Sequence, residues 1–105
     1  MKLLYLAGPY RAKTIFGHIR NIWRAWQAAK CYWKQGYCVF TPHLNSALME
    51  SVCPDVYFLG GYLEILRHCD AIVMLPGWKN SFGSQIEYSK AIAWGKEIIY
   101  HKDEK

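Results

Sequence analysis

The residues of this chain best suited to chemistry stand close together in LPGWKNSFGSQIE, Leu75 to Glu87. Ser81 is a natural helix N-cap, with Gly83 and Ser84 just behind it. The free N–H groups of such a helix start also attract anions or sugar hydroxyls. Glu87 falls in the second turn of that helix, where an apolar side chain would pack better. Two readings of it stand: a carboxylate turned toward a ligand, or a solvated glutamate three residues before Lys90. Gly77 and Trp78 lie in the turn before the helix, and Trp78, exposed by pattern, suits either stacking on a base or packing across a subunit interface. A second stretch is Gly8-Pro9-Tyr10-Arg11. It is neither G-x-G-x-x-G nor G-x-x-x-x-G-K-[ST], so dinucleotide and P-loop sites are excluded at this turn. Gly8 suits a tight turn, and Pro9 lacks the N–H that a phosphate would use. Arg11 either clamps an anion through its forked donors or faces solvent. A third group, His43 and Asn45 in PHLN (42–45), lies where a turn would tolerate both without any function. His18 and His101 read as surface residues, and His68 as a cation at a helix C-terminus.

The elements that must position these residues are legible from periodicity. Four apolar runs, KLLYLA (2–7), YCVFT (37–41), AIVMLP (71–76) and EIIYH (97–101), are continuous, as in strands covered on both faces. Between the first two, Ile15, Ile19, Ile22, Trp23, Trp26, Ala29 and Trp33 recur at three and four, predicting a helix over 15–34 that Gly36 ends. Further helices are predicted over 56–68, after Pro54 and Asp55, and over 83–94, ended by Gly95. The segment 42–54 reads as a long loop or a short irregular helix. This alternation predicts one α/β domain over 1–105, a flavodoxin/Rossmann-like three-layer sandwich. Its parallel sheet has four strands, or five, in the order 2-1-3-4. In such sheets ligands bind beyond the carboxyl ends of the strands, between strands 1 and 3. All three candidate stretches fall at that edge, which gives His43 and Asn45 a second reading beside the turn, as pocket-wall residues for a base or ribose. Asp70 starts strand 3 at the opposite edge and reads as structural.

Composition narrows the classes of function. A chain of 105 residues with 52% hydrophobic content is a packed globule. No apolar run reaches the roughly 18 residues of a membrane span. The start, MKLLYLAGPY, reads as a strand and not as a signal peptide. Cys31, Cys38, Cys53 and Cys69 lack metal-site spacing and read as free thiols of a cytoplasmic protein, with no metal. The net charge of +5 is scattered without a basic cluster, which excludes a nucleic-acid polymer as partner and suits a small anionic ligand. Five Trp and eight Tyr exceed what so small a domain can hide. Trp23, Trp26, Tyr32 and Trp33 therefore predict a homodimer or higher homo-oligomer that covers the first helix.

Taken together, YLAGPYR (5–11), PHLN (42–45), CDAIVMLPGW (69–78) and Ser81-x-Gly83-x-x-x-Glu87 resemble the nucleoside 2-deoxyribosyltransferase superfamily. The resemblance is closest to a small branch common in bacteria and phages, and it covers nearly the whole chain. It implies a small-molecule nucleoside or nucleotide substrate and no cofactor. The glutamate matching Glu87 is then the nucleophile at the sugar's anomeric carbon, and the tyrosine matching Tyr5 orients it through its hydroxyl. Those matching Arg11 and Ser81 contact the sugar or its 5′ end. Pro76-Gly77 and Gly83-Ser84-x-x-Glu87 also resemble the cytokinin-activating phosphoribohydrolases, which implies nearly the same chemistry. Two departures stand out. Tyr62 falls where active members carry an aspartate, with Asp55 or Glu64 as substitutes that the sequence does not place. Pro9 replaces a serine of the nucleotide-hydrolysing relatives. The alternative is a catalytically silent module that binds or sequesters nucleotides, of a kind phages encode.

Overall fold

The computed structural model of the chain describes residues 1–47, 49 and 51–102. Its elements are β1 (Leu3–Ala7), α1 (Ile15–Lys34), β2 (Cys38–Phe40), α2 (Pro42–Asn45), α3 (Asp55–Arg67), β3 (Ala71–Met74), α4 (Phe82–Ala93) and β4 (Glu97–Tyr100), with a 3-10 turn at Trp78–Asn80. All pairings are parallel, in the order β2-β1-β3-β4. This is the expected flavodoxin-like arrangement. The described residues form four strands, and no fifth is among them. No described helix is long and apolar enough to cross a membrane.

Strand alternation divides the core into two layers. Leu4 and Leu6 of β1, with Ala71, Val73 and Leu75, meet α1. Tyr5 and Ala7, with Ile72 and Met74, face Leu66 of α3 and Ala91 of α4 on the other side. Because β1 and β3 are central and covered on both faces, both strands are buried along nearly their whole length. Each fully buried large aliphatic side chain contributes about 1.5–3 kcal/mol.

The local signals act as their chemistry dictates. Thr14 caps α1, its Oγ1 accepting from the Gly17 N–H at 3.1 Å, and Ser81 caps α4 by accepting from Ser84 N–H at 3.4 Å. Asp70 ties the far edge of the sheet: its carboxylate accepts from Leu3 N–H at 2.8 Å, and its own N–H donates to Leu3 O at 2.9 Å.

Helix α1 leaves Trp23, Trp26 and Trp33 uncovered, as expected, but buries Tyr32, which was grouped with them, and exposes Ile15 and Ile19 of the apolar stripe. Its buried residues are Ala25, Ala28, Ala29 and Tyr32. The bulky stripe points outward, with Ile15, Ile19, Trp23, Trp26 and Trp33 between 45% and 66% exposed. The reason is steric. Alanine at three- and four-residue spacing lets a helix approach a sheet whose own Leu and Val side chains already fill the space. His101 is also not a plain surface residue, since it is half-buried with Nδ1 3.1 Å from the Tyr32 hydroxyl. His18 is half-buried too, edge-on to Tyr10 with ring centres 4.3 Å apart. His68 follows the last residue of α3 and lies 3.3 Å from Glu64.

Candidate functional site

The carboxyl end of β1 opens into a cavity of about 440 Å³. The last turn of β1, the start of α2, one side of α3 and the start of α4 wall it. Helix α4 presents Ser84, Glu87 and Ala91 to the sheet, a buried stripe at spacings of three and four. Glu87 therefore occupies a core-facing position and is only 7% exposed. Odd-numbered β1 residues face the same layer, so the phenol of fully buried Tyr5 meets it and donates a hydrogen bond to Oε2.

The electrostatics of this pair follow from burial. Desolvation pushes the Glu87 carboxyl up to about 7, against the Tyr5 hydrogen bond, which favours the ionised form. Burial first, and then the neighbouring Glu87 charge, raises the Tyr5 phenol well above its ordinary range. Tyr5 thus keeps its proton and remains the donor, while Glu87 changes charge near neutrality.

Around the pair the cavity gathers Gly8, Arg11, His43, Ser81 and Gly83. Gly8 is required by packing, since a Cβ there would stand 2.7 Å from Leu75 Cβ. Gly83 is different: a Cβ would meet nothing within 4 Å, so the residue leaves open space at the start of α4. Ser81 Oγ accepts from both the N–H and, at 3.0 Å, the hydroxyl of Ser84, which leaves the Ser81 proton as a donor. His43 is 3% exposed, with Nε2 2.8 Å from Pro9 O. A carbonyl oxygen only accepts, so Nε2 carries the proton. Burial lowers the pKa of the ring, against the Pro9 and Gly8 carbonyls, and its Nδ1 is enclosed without a hydrogen-bond partner. Arg11 pairs across the mouth with Asp55, Nη2 to Oδ1 at 2.5 Å.

Three expected residues fall elsewhere. Asn45 lines a separate groove with Trp26, Trp33 and Phe40. PHLN is a helical turn, and residues two apart on a helix point about 200° apart, so His43 and Asn45 cannot share a wall. Gly77 adopts a left-handed φ of 87° and packs against Pro9, outside the cavity wall. Trp78 is half-buried and stacked on Tyr88, with ring centres 4.4 Å apart. It is neither exposed nor part of the cavity lining.

Two further wall residues were named from sequence without being assigned to the site. Ser84 is 2% exposed, and its place midway between Ser81 and Glu87 at helical spacing is the signal for its buried, cavity-side position. Tyr62 lines the cavity with its hydroxyl bonded to Ser46 Oγ and its ring stacked near Phe58. Of the two carboxylates that the sequence could not place, Asp55 lines the cavity. Glu64 lies outside it, paired with Arg67 at 3.3 Å.

Comparison with known proteins agrees with this architecture. Among solved structures, the chain is similar to a 2-desoxiribosyltransferase from Leishmania mexicana, at 20% identity and a TM-score of 0.69. That alignment covers 95% of this chain and 63% of the other, so the chain spans less than two thirds of that relative. It is also similar to a 2-deoxyribosyltransferase from the psychrotolerant bacterium Bacillus psychrosaccharolyticus, at 17% identity and a TM-score of 0.67, covering 93% and 70%. No curated protein matches the sequence. At these identities the likeness establishes the fold, that of the nucleoside 2-deoxyribosyltransferases. Residues 2–100 match a family model described as a domain of unknown function, DUF4406, and the chain belongs to that family.

Proposed function

We propose that this protein cleaves or transfers at the N-glycosidic bond of a (deoxy)nucleoside or nucleoside 5′-monophosphate, with Glu87 as nucleophile and Tyr5 as its hydrogen-bond donor. The observation that carries the reading is a buried carboxylate, held by a buried phenol, in the wall of an open cavity of about 440 Å³. A structural glutamate gains nothing from such a place, because its charge is desolvated. A glycosyl transfer does gain. As the C1′–N bond lengthens, positive charge grows on the sugar, and a poorly solvated carboxylate attracts it more strongly than one in water. One Glu87 oxygen then bonds to C1′. The base departs with the bonding electron pair and takes a proton from solvent. Water, or a nitrogen of a second base, displaces Glu87 from C1′ and restores the carboxylate.

Gly8, Arg11, His43, Ser81 and Gly83 surround the substrate in this reading. The likeness to 2-deoxyribosyltransferases, one of them described as a biocatalyst for nucleoside synthesis, supports the substrate class. A second reading, a silent nucleotide-binding module, is favoured by Tyr62, which is bound to Ser46 and presents no carboxylate to a departing base. Incubating the protein with nucleosides and monophosphates, and following free base by chromatography, separates the two. The enzyme releases base, and Glu87→Gln lowers the rate by about a thousandfold or more. Ligand binding without base release supports the silent module. Added second base that becomes incorporated marks transfer over hydrolysis.

A further inference from the structure

The mouth of the cavity carries two opposite charges from different elements. Arg11 extends from the loop after β1 and Asp55 is the first residue of α3, and both line the Glu87 cavity. Their side chains are 60% and 64% exposed, so solvent and an entering ligand can both reach the pair.

Charge accounting on the cavity wall shows what this pairing does. The other titratable wall residues are Tyr10, His43, Tyr62 and Glu87. Burial keeps His43 neutral near neutral pH, and Glu87 is either neutral or negative there. With Asp55 offsetting Arg11, the side chains sum to zero or to one negative charge. The start of α4 adds about half a positive charge. A phosphate monoester brings about −1.5 to −2 and only acceptor oxygens. It would have to draw Arg11 away from Asp55 and then sit beside that carboxylate. Pro9 offers it no N–H, and the Pro9 carbonyl already accepts from His43. A sugar hydroxyl both donates and accepts. It matches a rim that offers the Ser81 proton as donor and Asp55 as acceptor.

We propose that Asp55 sets the substrate class: by holding Arg11, it makes the site take uncharged nucleosides in preference to their 5′-monophosphates. This rests on reading the cavity as a nucleoside site, and it assigns Asp55 a specificity role. The discrimination is built from an unfavourable charge as much as from contacts.

Calorimetric titration with 2′-deoxyadenosine and thymidine, each beside its 5′-monophosphate, tests it on the wild-type protein, Asp55→Asn, Arg11→Gln and the double variant. Wild type binds the nucleoside about tenfold more tightly than the monophosphate. Asp55→Asn frees Arg11 and moves the affinity ratio about fivefold toward the monophosphate, as suits an exposed pair. That shift shrinks with added salt and is lost in the double variant. A wild type that prefers the monophosphate overturns the proposal, and so does a ratio that Asp55→Asn leaves unmoved. The readout is binding, so a silent site would still show the preference. If neither nucleoside nor monophosphate binds, the nucleoside reading fails with the proposal. If both bind and Asp55 is without effect, the proposal alone fails.

Discussion

The two faces of the sheet are built from the same strands and solve different problems. On the α1 side, Leu4, Leu6, Val73 and Leu75 meet alanines and Tyr32, whose hydroxyl lies 3.1 Å from His101 Nδ1. One residue along β1, the other face buries Tyr5 against Glu87 and opens into a cavity. The first layer maximises apolar contact. The second gives up part of that stability to keep a carboxylate out of water. An acid held at about 7 instead of 4.5 corresponds to roughly 3 kcal/mol against the ionised form at alkaline pH. A cost of that size in a fold's interior, beside an open cavity, is the observation on which the role proposed for Glu87 rests.

One substitution on each face of the sheet breaks the comparison most strongly. Leu4→Ala removes a fully buried side chain and lowers stability by about 2–5 kcal/mol, equally at acid and alkaline pH. Glu87→Gln has the opposite sign. The folded protein holds the Glu87 proton up to about 7, whereas the unfolded chain releases it near 4.5. Between those values the fold binds more protons, so wild-type stability declines as pH rises through the window and levels off above it. Glu87→Gln lacks this titration. It is therefore more stable than wild type by up to about 3 kcal/mol at pH 8, with little difference at pH 4.5. Chemical denaturation at the two pH values checks both variants. A Glu87→Gln protein destabilised at pH 8 contradicts the view that Glu87 is held at a cost.

Activity moves the other way along the same axis. The nucleophile must be ionised, so kcat/KM rises about tenfold per pH unit below about 7 and flattens above it. A profile flat from pH 5 to 8 would remove Glu87 from the rate-determining chemistry.

How much of this was legible in the sequence differs between the faces in the same way. Continuous apolar runs separated by helical periods gave the strand order, because buried parallel strands leave no polar alternation to confuse the reading. Helix-start chemistry and the carboxyl ends of strands drew attention to Ser81, Gly83, Glu87, Gly8, Arg11 and His43, but left plain structural readings open. The family resemblance is what made Glu87 and Arg11 site candidates, and all six line the cavity. The layer against α1 was legible in part: Trp23, Trp26 and Trp33, expected as rings the domain could not hide, are exposed, whereas Tyr32, grouped with them, is buried. Hydrophobic periodicity marks a stripe but not its destination, and small alanines beside large tryptophans win the sheet on steric grounds. Asn45 was placed by the logic of a loop, but a four-residue helix turns it away from His43. Trp78 was placed by turn chemistry, which carries no information about Tyr88 ten residues on.

The smallest effect concerns the outward stripe of α1. Trp23 and Trp33 are 57% and 52% exposed, so changing both to serine alters stability by only about 0.5 kcal/mol per site. Self-association through that face is the expected larger consequence. Sedimentation velocity over a concentration series should show wild type associating and the double variant less so. A wild type monomeric throughout would remove the role assigned to these tryptophans.

The most direct test of the central claim is to trap the sugar on Glu87. A nucleoside with fluorine at the 2′ position slows the second displacement, so intact-mass measurement after denaturation should find a protein heavier by one glycosyl group. Peptide mapping should place that group on Glu87, and Glu87→Gln should not acquire it. Base release without any adduct, or an adduct mapped to another residue, would contradict the account.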